Sequence, residues 1–238
     1  MSANDHGLGT RVLEPDAPAA AGGAGAGHAA TFASTEHFNL QTARALTVSE
    51  SNGRASIYLA ALSSNLIALA FIGQISRLGV AFYAFALILL PVLVFVGTVT
   101  FGRLVQSSME EIAYAHRIGL VRSYYLRVSP ELEPYLVVLR RTQAAPLHGT
   151  PGAWQLTLTA AGMVAVVNSV VVAACAGLVL VAVGVHALAI PVAAGALLGA
   201  GAFSLHHRHH RRARDSYSPE AVDQAAILIS PPQPAHAA

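Results

Sequence analysis

Formal charge disappears from this 238-residue chain over three long stretches, and those gaps limit the folds open to it. Residues 55–76, between Arg54 and Arg77, contain no Asp, Glu, Lys or Arg; neither do residues 78–102, before Arg103, nor residues 142–207, before Arg208. About 20 helical residues rising 1.5 Å each cross a hydrocarbon core of about 30 Å. The first two stretches each supply one such helix, predicted over residues 56–75 and 80–102. The apolar part of the third, 156–205, is too long for one crossing. It suits two, over about 158–182 and 187–205, joined by a tight turn at Gly184-Val185-His186. A soluble protein would have to cover these helices with amphipathic partners. With 54% hydrophobic and only 11% charged residues, against about 25% charged in soluble domains, it has too few. The expected fold is an all-α membrane protein: four transmembrane helices arranged as two hairpins.

Arginine gives the orientation. The chain has no lysine, and every arginine except Arg77 lies outside the two short connections at Ser76–Gly79 and Gly184–His186. Cytoplasmic loops collect such cations, so both termini and the central loop are expected on the cytoplasmic side of a plasma membrane. Residues 1–34 lack the basic start and apolar core of a secretory signal, which leaves insertion to the first span. Their Ala- and Gly-rich composition suggests an unstructured tail. From Thr35 to Leu139 the pattern suggests two long helices that carry the first hairpin into a cytoplasmic stalk, loosened at Asn52-Gly53 and ended by Pro130 and Pro134. Phe38, Ala45 and Val48 have helix-compatible spacing on the first helix. Val105, Met109, Ile112, His116, Leu120 and Tyr124 form a stripe on the second. Glu50, Glu110 and Glu111 can pair there with Arg44, Arg54, Arg117 and Arg122. Residues 140–155 read as a linker, and 206–238 as a basic juxtamembrane run followed by an unstructured tail.

The spans hold no ionisable group, which argues against a proton-coupled transporter. Their polar side chains include Asn65 and Asn168 near mid-span, where an amide seeks a partner on another helix. Small residues recur at Ser56, Ala60, Ser64 and Ala68 and at Gly195 and Gly199, spacings that let helix backbones approach closely. The run His206–Arg212 could offer imidazoles to a metal, but the plainer reading sets Arg208, Arg211, Arg212 and Arg214 against anionic lipid headgroups. His116 lies five and six residues from Glu111 and Glu110, which does not match the Glu-x-x-His spacing of a di-iron bundle. There is no Walker lysine or nucleophile elbow, and the single cysteine, Cys175, excludes an internal disulfide. No enzyme, cofactor or resident metal is expected, and a net charge of +2 does not suggest a nucleic-acid partner.

The stretch from Glu36 to about Val138, with EHFNLQTARALTVSESNGRAS and FGRLVQSSMEEIAYAHRIGLVRSYYL flanking the first hairpin, resembles a group of uncharacterised bacterial multi-pass integral membrane proteins. That resemblance implies an architecture and no residue roles. In architecture alone, the extended hairpin is similar to two-helix membrane effectors of nucleotide-triggered bacterial defence systems. Two functions are expected. The first is a membrane scaffold or regulatory subunit, compatible with a homo-oligomer, whose stalk binds a cytoplasmic protein through Arg117, Arg122, Tyr124, Tyr125 and Arg127, since arginine and tyrosine are enriched in binding hot spots. The alternative is an oligomeric pore or effector gated through that stalk.

Overall fold

The computed structural model describes residues 19–136 and 157–216. They form four long helices: α1 (Ala19–Ile75), α2 (Val80–Val128), α3 (Ala160–Ala182) and α4 (Ala189–Asp215). A short 3-10 turn, Pro130–Leu132, follows α2, and no strand occurs among the described residues. Each helix packs mainly on its neighbours in the chain, with α2 and α3 at the centre. All four are long and apolar enough to cross a membrane. Their large apolar side chains point outward: Ile57, Phe71, Ile88, Phe95, Val170, Leu197 and Leu205 are all exposed. Each would contribute roughly 1.5–3 kcal/mol if removed from water, which fits helices of membrane-spanning length and composition.

The turns follow the expected positions. At Ser76–Gly79, Arg77 and Leu78 adopt left-handed conformations (φ 47° and 56°), and the Leu78 N–H donates to the Gly73 carbonyl at 3.0 Å. This closes the end of α1 as a Schellman-type cap. A Cβ on Gly79 would stand 2.8 Å from the Ser76 carbonyl oxygen, so the residue there must be glycine. At the second turn Gly184 takes φ 94°, and the Val185 N–H donates to Leu180 in the same pattern.

The helices run further than composition suggested. α1 begins at Ala19, so residues 19–34, expected to be unstructured, are helical. Alanine carries the highest helix propensity, and the hydroxyls of Thr31 and Thr35 donate to carbonyls one turn back. The helix also passes through Asn52-Gly53 without a break. Likewise α4 continues through His206–Arg212 to Asp215, with Arg212 and Arg214 in its last turn, where cations complement the helix dipole. Residues 1–18 of the expected N-terminal tail, the linker 140–155 and the C-terminal tail from 217 lie outside the described residues.

The contact face between α1 and α2 overlaps the expected stripe without coinciding with it. On α1 the residues turned inward are His37, Leu40, Arg44, Thr47, Ser51, Ala55, Tyr58 and Leu62; Phe38 and Val48 are exposed. On α2 the matching series is Phe101, Leu104, Ser108, Glu111, Ala115, Ile118, Arg122 and Tyr125; of the expected stripe Val105 is buried too, and Met109, Ile112, His116, Leu120 and Tyr124 are half-buried. Both sets advance in steps of three and four, the spacing that keeps two long helices in contact. Between α3 and α4 the contact is closer. A Cβ on Gly195 would lie 2.6 Å from the Ala173 carbonyl oxygen, and one on Gly199 would lie 2.9 Å from the Ala173 Cβ and 3.0 Å from the Ser169 carbonyl oxygen. Ser169, Ala173 and Gly177 thus form a small-residue stripe on α3 that receives Gly195 and Gly199. The stripe Ser56, Ala60, Ser64 and Ala68 does not serve α1 in this way: Ser56, Ala60 and Ser64 are exposed and Ala68 is half-buried.

Gly199→Leu is expected to lower stability by about 1–3 kcal/mol through overpacking. Gly201→Leu, at a position with open space around it, should be nearly neutral. Thermal unfolding of the two variants in detergent compares them; equal melting temperatures would rule out the close α3–α4 contact.

Candidate functional site

Among the polar side chains of the apolar segments, three come together. Asn168 of α3 is fully buried. Its Oδ1 accepts from the Tyr58 hydroxyl of α1 at 3.3 Å, and its Nδ2 donates to the Thr98 hydroxyl of α2 at 3.1 Å. Gly97 makes room for this junction: a Cβ there would fall 2.3 Å from Asn168 Oδ1 and 2.6 Å from the Tyr58 oxygen. Three helices are joined by one amide. Asn65 behaves differently, donating to the Ala61 carbonyl of its own helix at 2.7 Å. Sequence spacing picked out Asn168 but could not identify Tyr58 or Gly97, whose roles depend on which faces meet.

Beyond the apolar segments the α1–α2 seam becomes polar. Arg44 donates to Glu111 across it at 3.0 Å, the expected cross-helix ion pair. Arg54 instead bonds Glu50 one turn back on α1, with its Nε at 3.1 Å. The proposed recognition residues divide into two groups. Arg117 and Arg127 are exposed and Tyr124 is half-buried beside Tyr125. Arg122, at 6% exposure, and Tyr125 turn inward against α1. The Tyr125 ring lies 5.8 Å from that of His37, and its hydroxyl interacts with Ser34. Burial, and then the Arg122 cation, hold His37 below the ordinary imidazole range. Burial and the Arg44 cation likewise disfavour charge on Arg122. Arg122 Nη1 and His37 Nδ1 have no hydrogen-bond partner among the described residues. The inward position of Arg122 was not read from the sequence, where it counted among the charged residues of the stalk.

The middle of this seam is made of small residues, Thr47 and Ser51 facing Ser108 and Ala115, and they do not fill the space between the helices. A cleft of about 370 Å³ remains, lined also by Thr159 and Ala160 at the start of α3 and by His210 and Arg214 near the end of α4. Thr159 caps α3, accepting from the Gly162 N–H at 3.0 Å. The histidine run on α4 packs on Phe101, whose ring meets that of His206 edge-on at 4.5 Å. His210 is buried alongside; burial and the neighbouring Arg214, His207 and His209 lower its basicity. No group of three or more potential metal ligands is gathered among the described residues.

Asn168→Leu should destabilise the bundle by about 1–2 kcal/mol, because the Tyr58 hydroxyl would be left buried without its acceptor. Asn65→Leu should cost less than about 0.5 kcal/mol. Unfolding in detergent, followed by circular dichroism, measures both, and an equal effect would remove Asn168 from its role as the three-helix junction. Comparison of the chain with protein-family models, with curated proteins and with solved structures finds no match.

Proposed function

We propose that the protein is an integral membrane scaffold or regulatory subunit of the bacterial cytoplasmic membrane. Its four spans form two hairpins, both termini are cytoplasmic, and the polar ends of α1 and α2 make a stalk that binds a protein partner. The observation that carries this reading is the outer surface of the stalk. Phe38 and Leu46 stand 70% and 65% exposed on α1, well outside the apolar segments, while α2 presents Arg117 and Arg127. Exposed apolar side chains and exposed arginines are each found on surfaces that another protein covers. Arg122 and Tyr125 serve the seam and support that surface from within.

The spans favour a scaffold over a pore. Conduction paths are commonly lined by rings of carbonyl or charged groups. Here the buried amide Asn168 is engaged by Tyr58 and Thr98, and Ser64, Ser169 and Ser204 donate to carbonyls of their own helices. Anionic headgroups near Arg208, Arg211, Arg212 and Arg214 would anchor α4 by about 1 kcal/mol per cation.

Reporter fusions at Pro18, Gly149 and Pro232 should all read cytoplasmic; an external signal at Gly149 would overturn the topology. For the function itself, Phe38→Ser, Leu46→Ser, Arg117→Ala and Arg127→Ala, combined, should leave membrane insertion intact and abolish co-purification of the partner. An unchanged set of co-purifying proteins would refute partner binding by this face. Dye leakage from liposomes carrying the purified protein would favour the pore instead.

A further inference from the structure

The outer end of the α1–α2 seam is thinly held. Beyond Ala55 on α1 and Val105 on α2, Leu40 and Ile118 are the only buried apolar side chains among the described residues. The other buried group there is Arg122. Near it stands His37, whose Nε2 lies 3.3 Å from the amide nitrogen of Gln41. An amide nitrogen only donates, so Nε2 accepts and Nδ1 carries the single proton of a neutral ring. That Nδ1 is buried with no hydrogen-bond partner among the described residues, and so is Arg122 Nη1. The seam is closed around an uncharged imidazole.

We propose that His37 is a proton-operated latch of the stalk: when its ring takes a second proton, the outer ends of α1 and α2 part. The second proton would go to Nε2, toward which the Gln41 amide already points its hydrogens. Turning that amide would offer its oxygen instead, but Nδ1 would still lack an acceptor and the new charge would face Arg122. The other groups around the ring supply no counter-charge. On α2 they are Tyr125, with its ring 5.8 Å away, and Tyr124 beside it. On α1, two turns along, Arg44 is engaged by Glu111 and acts on Arg122 as a further cation. Glu36 on α1 and Glu131 and Glu133 beyond α2 are exposed, and neither His37 nor Arg122 forms an ion pair among the described residues. Burial and the Arg122 charge hold the ring below the ordinary imidazole range. Once the helices part, water returns it to about 6.5. The closed seam therefore binds fewer protons than the open one, so its closure is fully supported above about pH 6.5 and is lost as pH falls from there through the lower value of the closed state. With two buried apolar side chains opposing it, this end of the stalk is where local opening requires least. The latch needs no protein partner.

The test uses the full chain in phosphatidylcholine nanodiscs. Spin labels are attached through Asn39→Cys on α1 and Ser123→Cys on α2, both exposed positions, with Cys175→Ser removing the native thiol. Distances between the labels are measured by double electron–electron resonance from pH 8 to pH 5. One short distance is expected at pH 8, and the population at longer distances should rise at least about threefold by pH 5. His37→Gln should stay at the short distance throughout, Arg122→Met should weaken the response, and His28→Gln, an exposed histidine on the same helix, should respond as the parent does. Should His37→Gln already be open at pH 8, the parent chain decides: its His37 ring, labelled with carbon-13 and assigned by its loss in that variant, must take up its proton over the pH range in which the distance lengthens. The proposal is overturned if the parent distance does not change with pH, if His37→Gln keeps the response, if His28→Gln loses it, or if the ring titrates outside that range.

Discussion

Helices with apolar outer faces gain nothing by hiding those faces from one another inside hydrocarbon, so their association must come from close backbone approach and from hydrogen bonds. Both are present, and the arrangement of the bundle depends on them. Gly195 and Gly199 bring α4 against the carbonyls of α3. Gly97 brings α2 close enough for one amide on α3 to reach both α1 and α2. The amide works only because the glycine is there; a methyl group at residue 97 would occupy the space of its oxygen. Such interhelical hydrogen bonds contribute about 0.6 kcal/mol on average in membranes, so Asn168 matters for specificity more than for raw strength. It fixes one register among the many that alanine-rich helices could adopt.

The packing changes character along α1 and α2. Within the apolar segments one cluster gathers Ala55 and Tyr58 with Phe101, Leu104 and Val105, and a second gathers Leu62 with Leu90 and Leu93. Past them it passes to Arg44, Thr47 and Ser51 facing Ser108, Glu111 and Ala115, and then to His37 and Leu40 near Ile118, Arg122 and Tyr125. Small polar residues hold two helices at a distance set by the larger side chains on either side, and the space between becomes the cleft. The ion pair Arg44–Glu111 crosses it. Because both of its members are partly exposed, its contribution is of the order of 0–1 kcal/mol, and the ends of the seam do more to hold it closed.

Helix number and turn positions were legible in the sequence because gaps in charge and the placement of Gly79 and Gly184 depend on local chemistry alone. Helix length was less legible: the Ala- and Gly-rich start of α1 has the composition of a disordered tail and also a high alanine content, and composition does not decide between them. The contact faces were harder still. On α2 the apolar stripe from Val105 to Tyr124 and the series from Phe101 to Tyr125, which holds more of the buried residues, are both spaced by three and four. The seam contains Arg122, which hydropathy places outside. Gly195 and Gly199 could be picked out by spacing, but the equally regular Ser56, Ala60, Ser64 and Ala68 could not be told from them, since what distinguishes the two sets is the stripe Ser169, Ala173 and Gly177 on the opposing helix. The cleft itself had no sequence signal, because it arises from four segments that are distant in the chain.

The unbroken passage of α1 through Asn52-Gly53 has a mechanical consequence. From Ala55 to Gly27 the helix extends about 42 Å without a joint, so it acts as a lever pivoted at the start of its uncharged segment near Ala55. A tilt of about 10° in the embedded part carries the far end sideways by about 7 Å, more than one turn of helix pitch. A change in lipid thickness or a repacking around Asn168 would thus be magnified at the tip, where α1 and α2 would have to slide past one another or move together.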